Sequence, residues 1–237
     1  MLFCLSLSVL LKHFSMRLFQ PIILLLAILP TVVTVGQNYD FKDKIRLKTT
    51  DVEDQGRSGT CWCFSTTSFI EAEMMRKGLE PVNLSEMFIV YNCYVEKANQ
   101  YVREEGKTNI TAGGLFHDVT WAASQFGLAP ESVYKGIKYN SAGHNHSELD
   151  TVAVAFLKTI CSQKKLSNVW PNAFRGILNA YLGIKPQTFD YNGKKHTPKT
   201  FASEVVQFEP SDYVMLTSFT HHPFYTQFIL EDRKSVV

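Results

Sequence analysis

Apolar side chains recur every three to four positions through five stretches of the chain, the spacing that places them on one face of a helix. The first begins near Cys61, sets Phe64, Ser68, Ala72 and Met75 along one stripe, and ends on Arg76-Lys77-Gly78, basic residues ahead of a terminating glycine. The second opens with Asn83-Leu84-Ser85-Glu86, which reads as an Asn cap followed three residues later by Glu. Its apolar set, Leu84, Met87, Phe88, Tyr91, Val95, Ala98 and Val102, keeps the spacing for about five turns and predicts a long core helix. Tyr91, Tyr94 and Tyr101 are read as packing residues of that helix. A third helix follows Gly113-Gly114 and runs through Phe116, Val119, Ala123 and Phe126 to Gly127. Ser147 to Lys164 and Trp170 to Leu182 complete the helical set.

After Leu182 the pattern changes. Lys185 to Thr200 reads as strand and turn, with Tyr191-Asn192-Gly193-Lys194 as a hairpin tip. Tyr213-Val214-Met215-Leu216-Thr217 is rich in strand formers, and Phe224 to Leu230 reads as another strand. Ahead of the helices, Tyr39 to Glu53 is a charged, extended lead-in with Ile45, Leu47 and Val52 as its apolar contacts.

Hydrophobic content of 45% and a formal charge of +2 describe an ordinary globular protein, without the basic excess of a nucleic-acid binder. Residues 1–36 read as a signal peptide, with Met1 or Met16 as its start. Met16-Arg17 supplies the positive end, Ile22 to Val35 the apolar run, and Thr34-Val35-Gly36 the small residues before a cut. Pro21 and Pro30 bound a run well short of the ~20 residues of a spanning helix, so no stable membrane span is expected after cleavage. An uncleaved anchor is the alternative. The protein is accordingly expected to be secreted or periplasmic. Of five cysteines, four (Cys61, Cys63, Cys93 and Cys161) remain once that leader is gone, without the spacing of a disulfide framework. Cys61-x-Cys63 has no second His/Cys pair at ligand spacing, so neither metal nor cofactor is expected. Asn-x-Ser/Thr triplets stand at Asn83, Asn109 and Asn145, with Asn83 assigned to helix capping.

Chemistry concentrates in Asp54-Gln55-Gly56-Arg57-Ser58-Gly59-Thr60-Cys61-Trp62-Cys63-Phe64, a glycine-spaced loop running into the first helix. A cysteine at a helix N-terminus meets unpaired N–H groups and the positive end of the helix dipole, which favour a thiolate nucleophile. Gln55 precedes Cys61 by six positions, within reach for its amide to fold back towards the sulfur. The paired glycines at Gly113 and Gly114 allow backbone to approach backbone, either for packing or to bond an extended peptide.

These residues together resemble the papain-like cysteine peptidases, and within them the bleomycin hydrolase or aminopeptidase C branch. Gln55 falls at the family's oxyanion-hole glutamine, and Cys61-Trp62 at the nucleophile and its tryptophan. Leu84-Ser85-Glu86 resembles the L-S-E segment, and Gly113-Gly114 the glycine pair lining the substrate cleft. Gly127-Leu128-Ala129-Pro130-Glu131-Ser132-Val133-Tyr134 resembles the G-[IL]-x-P-E-x-x-Y stretch that follows. Ser58 stands where secreted relatives usually carry a cysteine, as in the bleomycin hydrolase branch, and a long insertion over about 135–225 is similar to that branch. Cys63 departs from the usual Ser, Ala or Leu.

The resemblance implies an α+β, papain-like fold, with a peptidase domain over 37–230 whose helical lobe is largely present and whose β-rich lobe is incomplete. It also implies catalysis by Cys61 with Gln55, peptide contacts through Trp62, Gly113 and Gly114, cleavage at peptide N-termini, and a hexameric assembly. The family's histidine, in a segment like H-A-M, and its asparagine, in N-S-W-G, are not found. His196 lies in the expected window, about 130–150 residues downstream, but in a polar turn, and His221-His222 fall in the insertion. Glu231 to Val237 breaks the pattern and resembles the translation of a sequencing adapter, a non-native tail. The expectation is that the gene continues and that the 237-residue chain is inactive as written. Alternatives are a peptide-binding pseudoenzyme lacking the base, and a thiol redox module on Cys61 and Cys63. Reading the genomic DNA past codon 230 is predicted to reveal an open frame encoding the H-A-M and N-S-W segments. A natural stop there would favour the pseudoenzyme.

Overall fold

In a computed structural model of the chain, residues 39–138 and 142–229 are described. The leader over 1–36 and the tail over 231–237 lie outside the described residues, as does Leu230. The chain divides into two units at Ile45. In the first, residues 39–45 are extended and exposed, with the rings of Tyr39 and Phe41 5.8 Å apart. Ile45, and Leu47 and Val52 of the second unit, are exposed rather than the apolar contacts expected of them. No helix or strand forms over 39–53 to hold one face of it inward.

The second unit is built around one helix. Its α-helices are α1 (Cys61–Arg76), α2 (Glu86–Arg103), α3 (Phe116–Phe126), α4 (Ser147–Cys161) and α5 (Trp170–Leu182). α2 packs against all four of the others, so it is buried around its whole circumference through its first half. Every residue from Glu86 to Tyr94 is buried, including Ile89, Val90 and Cys93, which a one-face stripe leaves out. Tyr91, Tyr94 and Tyr101 are buried packing residues as expected, with the Tyr91 hydroxyl donating to Asn179 Oδ1 at 2.8 Å and that of Tyr94 to Asp150.

Two local readings are corrected. The cap of α2 is Ser85, whose Oγ accepts the Phe88 N–H at 3.1 Å. Asn83 cannot serve, because Ser85 N–H to Ala129 O and Glu131 N–H to Asn83 O pair this stretch with residues 129–131 before the helix begins. Asn83 instead donates to Glu53 Oε1 at 2.7 Å. On α1 the inward face is Cys63, Thr66, Thr67, Ile70 and Met74, beside the predicted stripe of Phe64, Ser68, Ala72 and Met75. Thr66 and Thr67 are buried at little cost, since their hydroxyls donate to the Trp62 and Cys63 carbonyls.

Beyond α5 lies a single described hairpin, β1 (Phe189–Tyr191) paired antiparallel with β2 (Lys194–His196). Its tip is the expected Asn192-Gly193, with φ of 48° and 76°, the two left-handed positions of a tight hairpin turn. Thr197 then caps the short helix α6 (Pro198–Phe201), and Phe201 packs fully buried against Phe189 and Tyr191. The strands expected at Tyr213–Thr217 and from Phe224 do not form among the described residues. Strand formers need a partner ladder, and without one Val214, Leu216 and Ile229 stay 75%, 93% and 85% exposed. The result is an α+β, papain-like arrangement with a developed helical lobe and little sheet.

A buried acidic seam joins α1 to α2. Glu71 accepts the Leu84 N–H at 2.8 Å and the Thr50 hydroxyl at 2.5 Å, and Glu86 accepts the Thr67 hydroxyl at 2.8 Å. Burial, reinforced by the charges of Glu71 and Glu53 and opposed by the Thr67 hydrogen bond, pushes Glu86 up to about 7. Burial and the charges of Glu86 and Glu53 push Glu131 up to about 8. A carboxyl whose pKa rises on folding stabilises the fold in its protonated form, so that stability is lost as pH rises from its ordinary value through the folded one. His146 acts in the opposite sense: burial first, then the neighbouring His144, lower it to about 4, and stability is lost as pH falls below its ordinary 6.5. Glu86→Gln is therefore predicted to flatten the alkaline limb. Its melting temperature should gain on the wild type between about pH 5 and about pH 8, and parallel curves for the two proteins would contradict the assignment.

Candidate active site

Cys61 is the first residue of α1 and is solvent-exposed. The helix's first backbone bonds run from Cys63 and Phe64 to the Thr60 carbonyl at 2.8 and 3.2 Å. The N–H groups of Cys61 and Trp62 thus precede the intrahelical ladder, and no acidic residue in the first turn offsets the positive end of the helix. Cys63 has the opposite environment. It is fully buried, its Sγ faces the Glu86 carbonyl at 3.5 Å, and burial with the nearby Glu86 charge drives its thiol well above the ordinary value. One thiol meets solvent and the other is sealed and protonated, which argues against the pair as a redox couple.

The loop ahead of Cys61 is stapled from outside. Arg57 N–H donates to His144 O at 2.8 Å and His146 N–H donates to Arg57 O at 3.1 Å, a two-bond bridge to residues 144–146. Gly56 lies against the same segment with φ of 56°, and a Cβ there would sit 2.4 Å from the His144 carbonyl oxygen, so no other residue fits without moving the staple. Inside the loop, the buried hydroxyls of Ser58 and Thr60 share a 2.5 Å hydrogen bond, and Ser58 N–H closes onto Gln55 O at 3.3 Å. This bond closes a tight turn over residues 55–58. Its side chain is half-buried, with Oε1 sealed from solvent and unbonded.

Trp62 connects the loop to residues 111–114, the cleft edge that the resemblance implies. Its ring is 8% exposed, so it supports that edge from beneath, and its Nε1 donates to Ala112 O at 2.8 Å. Gly114 lies directly on the indole: a Cβ would come within 2.7 Å of the ring and of Asp118 Oδ2. At Gly113 a Cβ would meet only Thr111 Oγ1, at 3.8 Å. Asp118 is fully buried and accepts the Leu115 N–H at 2.9 Å, fixing the start of α3. The structure therefore brings Cys61, Trp62 and Gly114 together through shared contacts. Two contributors were missed by periodicity: Lys97, buried on α2 and bonded to the Thr111 and Gly113 carbonyls, and the 144–146 staple. Neither carried a signal in the apolar spacing: Lys97 follows Cys93 by four positions, on the face of α2 that the predicted stripe leaves out.

Among the described residues no hydrogen bond or ion pair joins a histidine to Cys61. His196 is buried beside Phe201, with its Nδ1 3.5 Å from Thr200 Oγ1 and 3.6 Å from Glu204 Oε2. His117 Nε2 lies 3.9 Å from Asp118 Oδ1. His222 stacks on Phe228 with ring centroids 3.9 Å apart.

Comparison with known proteins agrees with this geometry. The chain is 35% identical over 85 residues to a cathepsin L-like proteinase of Fasciola hepatica, covering 36% of this chain and 23% of the relative. It is 44% identical over 69 residues to digestive cysteine proteinase 1 of Homarus americanus, covering 24% of this chain and 21% of that protein. It thus spans under a quarter of the length of these relatives. Among solved structures, PepW from Lactobacillus rhamnosis HN001 superposes with a TM-score of 0.57 at 21% identity, over 71% of this chain and 46% of the other, a likeness of fold. The family model for papain family cysteine proteases matches residues 35–229. That span takes in the nucleophile loop and all of the helices described above, and the chain belongs to the papain family of cysteine proteases.

Proposed function

We propose that this protein is a cysteine peptidase that cleaves peptide bonds through the Cys61 thiolate. The observation that carries the reading is the contrast between Cys61, exposed ahead of the first helical hydrogen bond, and Cys63, sealed two residues later. In this reaction the sulfur attacks the scissile carbonyl carbon, and the resulting oxyanion takes hydrogen bonds from the Gln55 amide and the Cys61 N–H. Each such donor contributes about 2.7–4 kcal/mol to the transition state. Collapse expels the amine and leaves a thioester, which water then hydrolyses. A general base must hold the thiol proton and deliver it to the leaving amine, and among the described residues no hydrogen bond or ion pair joins a histidine to Cys61. That observation favours, as the second reading, a peptide-binding pseudoenzyme.

Within the family we place the protein in the aminopeptidase C or bleomycin hydrolase branch, removing residues from peptide N-termini outside the cytoplasm. Support comes from Ser58 in place of a cysteine, and from the long segment after Tyr134 that supplies α4, α5 and the hairpin. A hexameric assembly goes with that branch.

In the whole protein, iodoacetamide is predicted to label Cys61 before Cys63 or Cys93, read by peptide mass mapping. Cys61→Ala should abolish cleavage of aminoacyl reporters. Gln55→Ala should slow turnover by on the order of 100-fold while leaving the labelling rate in place. Turnover that survives Cys61→Ala would end the peptidase reading, whereas labelled but inert wild-type protein would support the pseudoenzyme.

A further inference from the structure

Lys97 lies on α2 with only 3% of its surface exposed. Its ammonium donates to the Thr111 carbonyl at 3.1 Å and to the Gly113 carbonyl, and it sits 5.7 Å from the centroid of the Trp62 ring. Trp62 takes the carbonyl between these two, through Nε1 to Ala112. Three successive carbonyls of the cleft edge are thus held by one buried lysine and one buried indole. Burial pushes the carboxyl of Asp150 on α4 up, and the Tyr94 hydroxyl and the charge of Lys97 oppose that push.

Part of this segment borders open space. A groove of about 520 Å³ separates Ile110, Thr111 and Ala112 from Asp150, Val154 and Lys158 of α4. A Cβ on Gly113 would meet nothing closer than Thr111 Oγ1 at 3.8 Å. The backbone here is held by Lys97 and Trp62 and borders a groove. Burying an ammonium is costly, and a methionine would fill the same volume without that cost. A cation gives directed bonds to two carbonyls, which an apolar side chain does not.

We propose that Lys97 is a positioning residue for substrate: it holds residues 111–114 in the conformation that presents Gly113 and Gly114 to an extended peptide beside Cys61. This rests on the peptidase reading above and names the device that aligns its substrate. In this role Lys97 acts through the backbone of residues 111–113 and not on the sulfur. Its removal should therefore weaken recognition of peptides and leave the intrinsic reactivity of the thiol unchanged.

The test compares two electrophiles on Cys61 of the whole protein, a peptidyl epoxide and iodoacetamide, in wild type, Lys97→Met and Lys97→Arg. The wild type should react preferentially with the peptidyl probe. Lys97→Met should lose that preference by on the order of 10- to 100-fold with an unchanged iodoacetamide rate, and Lys97→Arg, which keeps the donors, should restore most of it. If Lys97→Met does not fold, Lys97→Gln, which keeps an N–H donor without the charge, carries the same comparison and should lose part of the preference. A Lys97→Met or Lys97→Gln protein that keeps the full preference overturns the role of Lys97 alone. A wild type with no peptidyl preference overturns the peptidase reading, and this proposal with it.

Discussion

The indole of Trp62 is the part on which the rest of the site depends. It is the residue after Cys61, so whatever fixes its ring fixes the start of α1 relative to the cleft edge. One hydrogen bond to the Ala112 carbonyl and the flat contact with Gly114 do this together. The hydrogen bond contributes about 1 kcal/mol, and ring burial adds more than that. Direction is the more important consequence. An indole N–H has one proton and one vector, so Ala112 has one place to be. The absence of a side chain at Gly114 then lets the backbone settle onto the ring, and Asp118 locks the next turn by capping α3.

A second anchor acts from the opposite side. The Arg57 bridge to His144 and His146 closes the nucleophile loop over a segment nearly ninety residues away in sequence, and Gly56 is shaped to that segment. Between the anchors, the Ser58 and Thr60 hydroxyls satisfy each other in a buried position. The loop is therefore held by hydrogen bonds at both ends and in its middle, without a covalent cross-link at Ser58. The cost falls on His146, whose two ring nitrogens are buried and unbonded. An imidazole kept neutral in this way is tolerable near neutral pH and unfavourable in acid, which ties the integrity of the loop to the protonation of His146.

Helix boundaries were legible in the sequence wherever a single residue type enforces them. Trp170–Leu182 and Phe116–Phe126 fall where apolar spacing and the flanking glycines put them, and Asn192-Gly193 makes the turn it predicts. The misjudged features depend on partners far along the chain. Asn83 has a good capping side chain, yet pairing with residues 129–131 leaves the cap to Ser85. The inward face of α1 contains threonines, which look polar in sequence and become buried once their hydroxyls turn back onto the helix. Tyr213 to Thr217 has the composition of a strand and lacks the neighbour that would make it one. At the site, Cys61, Gln55 and the glycine pair were readable as local motifs. Their supports were not, because the Arg57 bridge and the Lys97 contacts join positions that no window of sequence shows together.

The central helix resolves an apparent waste of stability. α2 buries Glu86, Asn92 and Lys97, three polar side chains in a helix surrounded by apolar neighbours. Apolar replacements of similar size are often neutral or stabilising at such positions, so stability alone does not explain them. Each makes a directed bond to a different element. Glu86 accepts from Thr67 on α1, Asn92 accepts from Lys185 ahead of the hairpin, and Lys97 donates to the cleft edge. Apolar packing tolerates small sliding of one element on another, whereas a buried hydrogen bond does not, because breaking it leaves an unsatisfied group costing about 1–3 kcal/mol. A helix bonded in three directions therefore sets the relative positions of nucleophile helix, cleft edge and hairpin more tightly than its apolar surface would. The polar residues of α2 exchange some stability for geometry, and geometry is what a reaction between a fixed sulfur and a bound carbonyl requires.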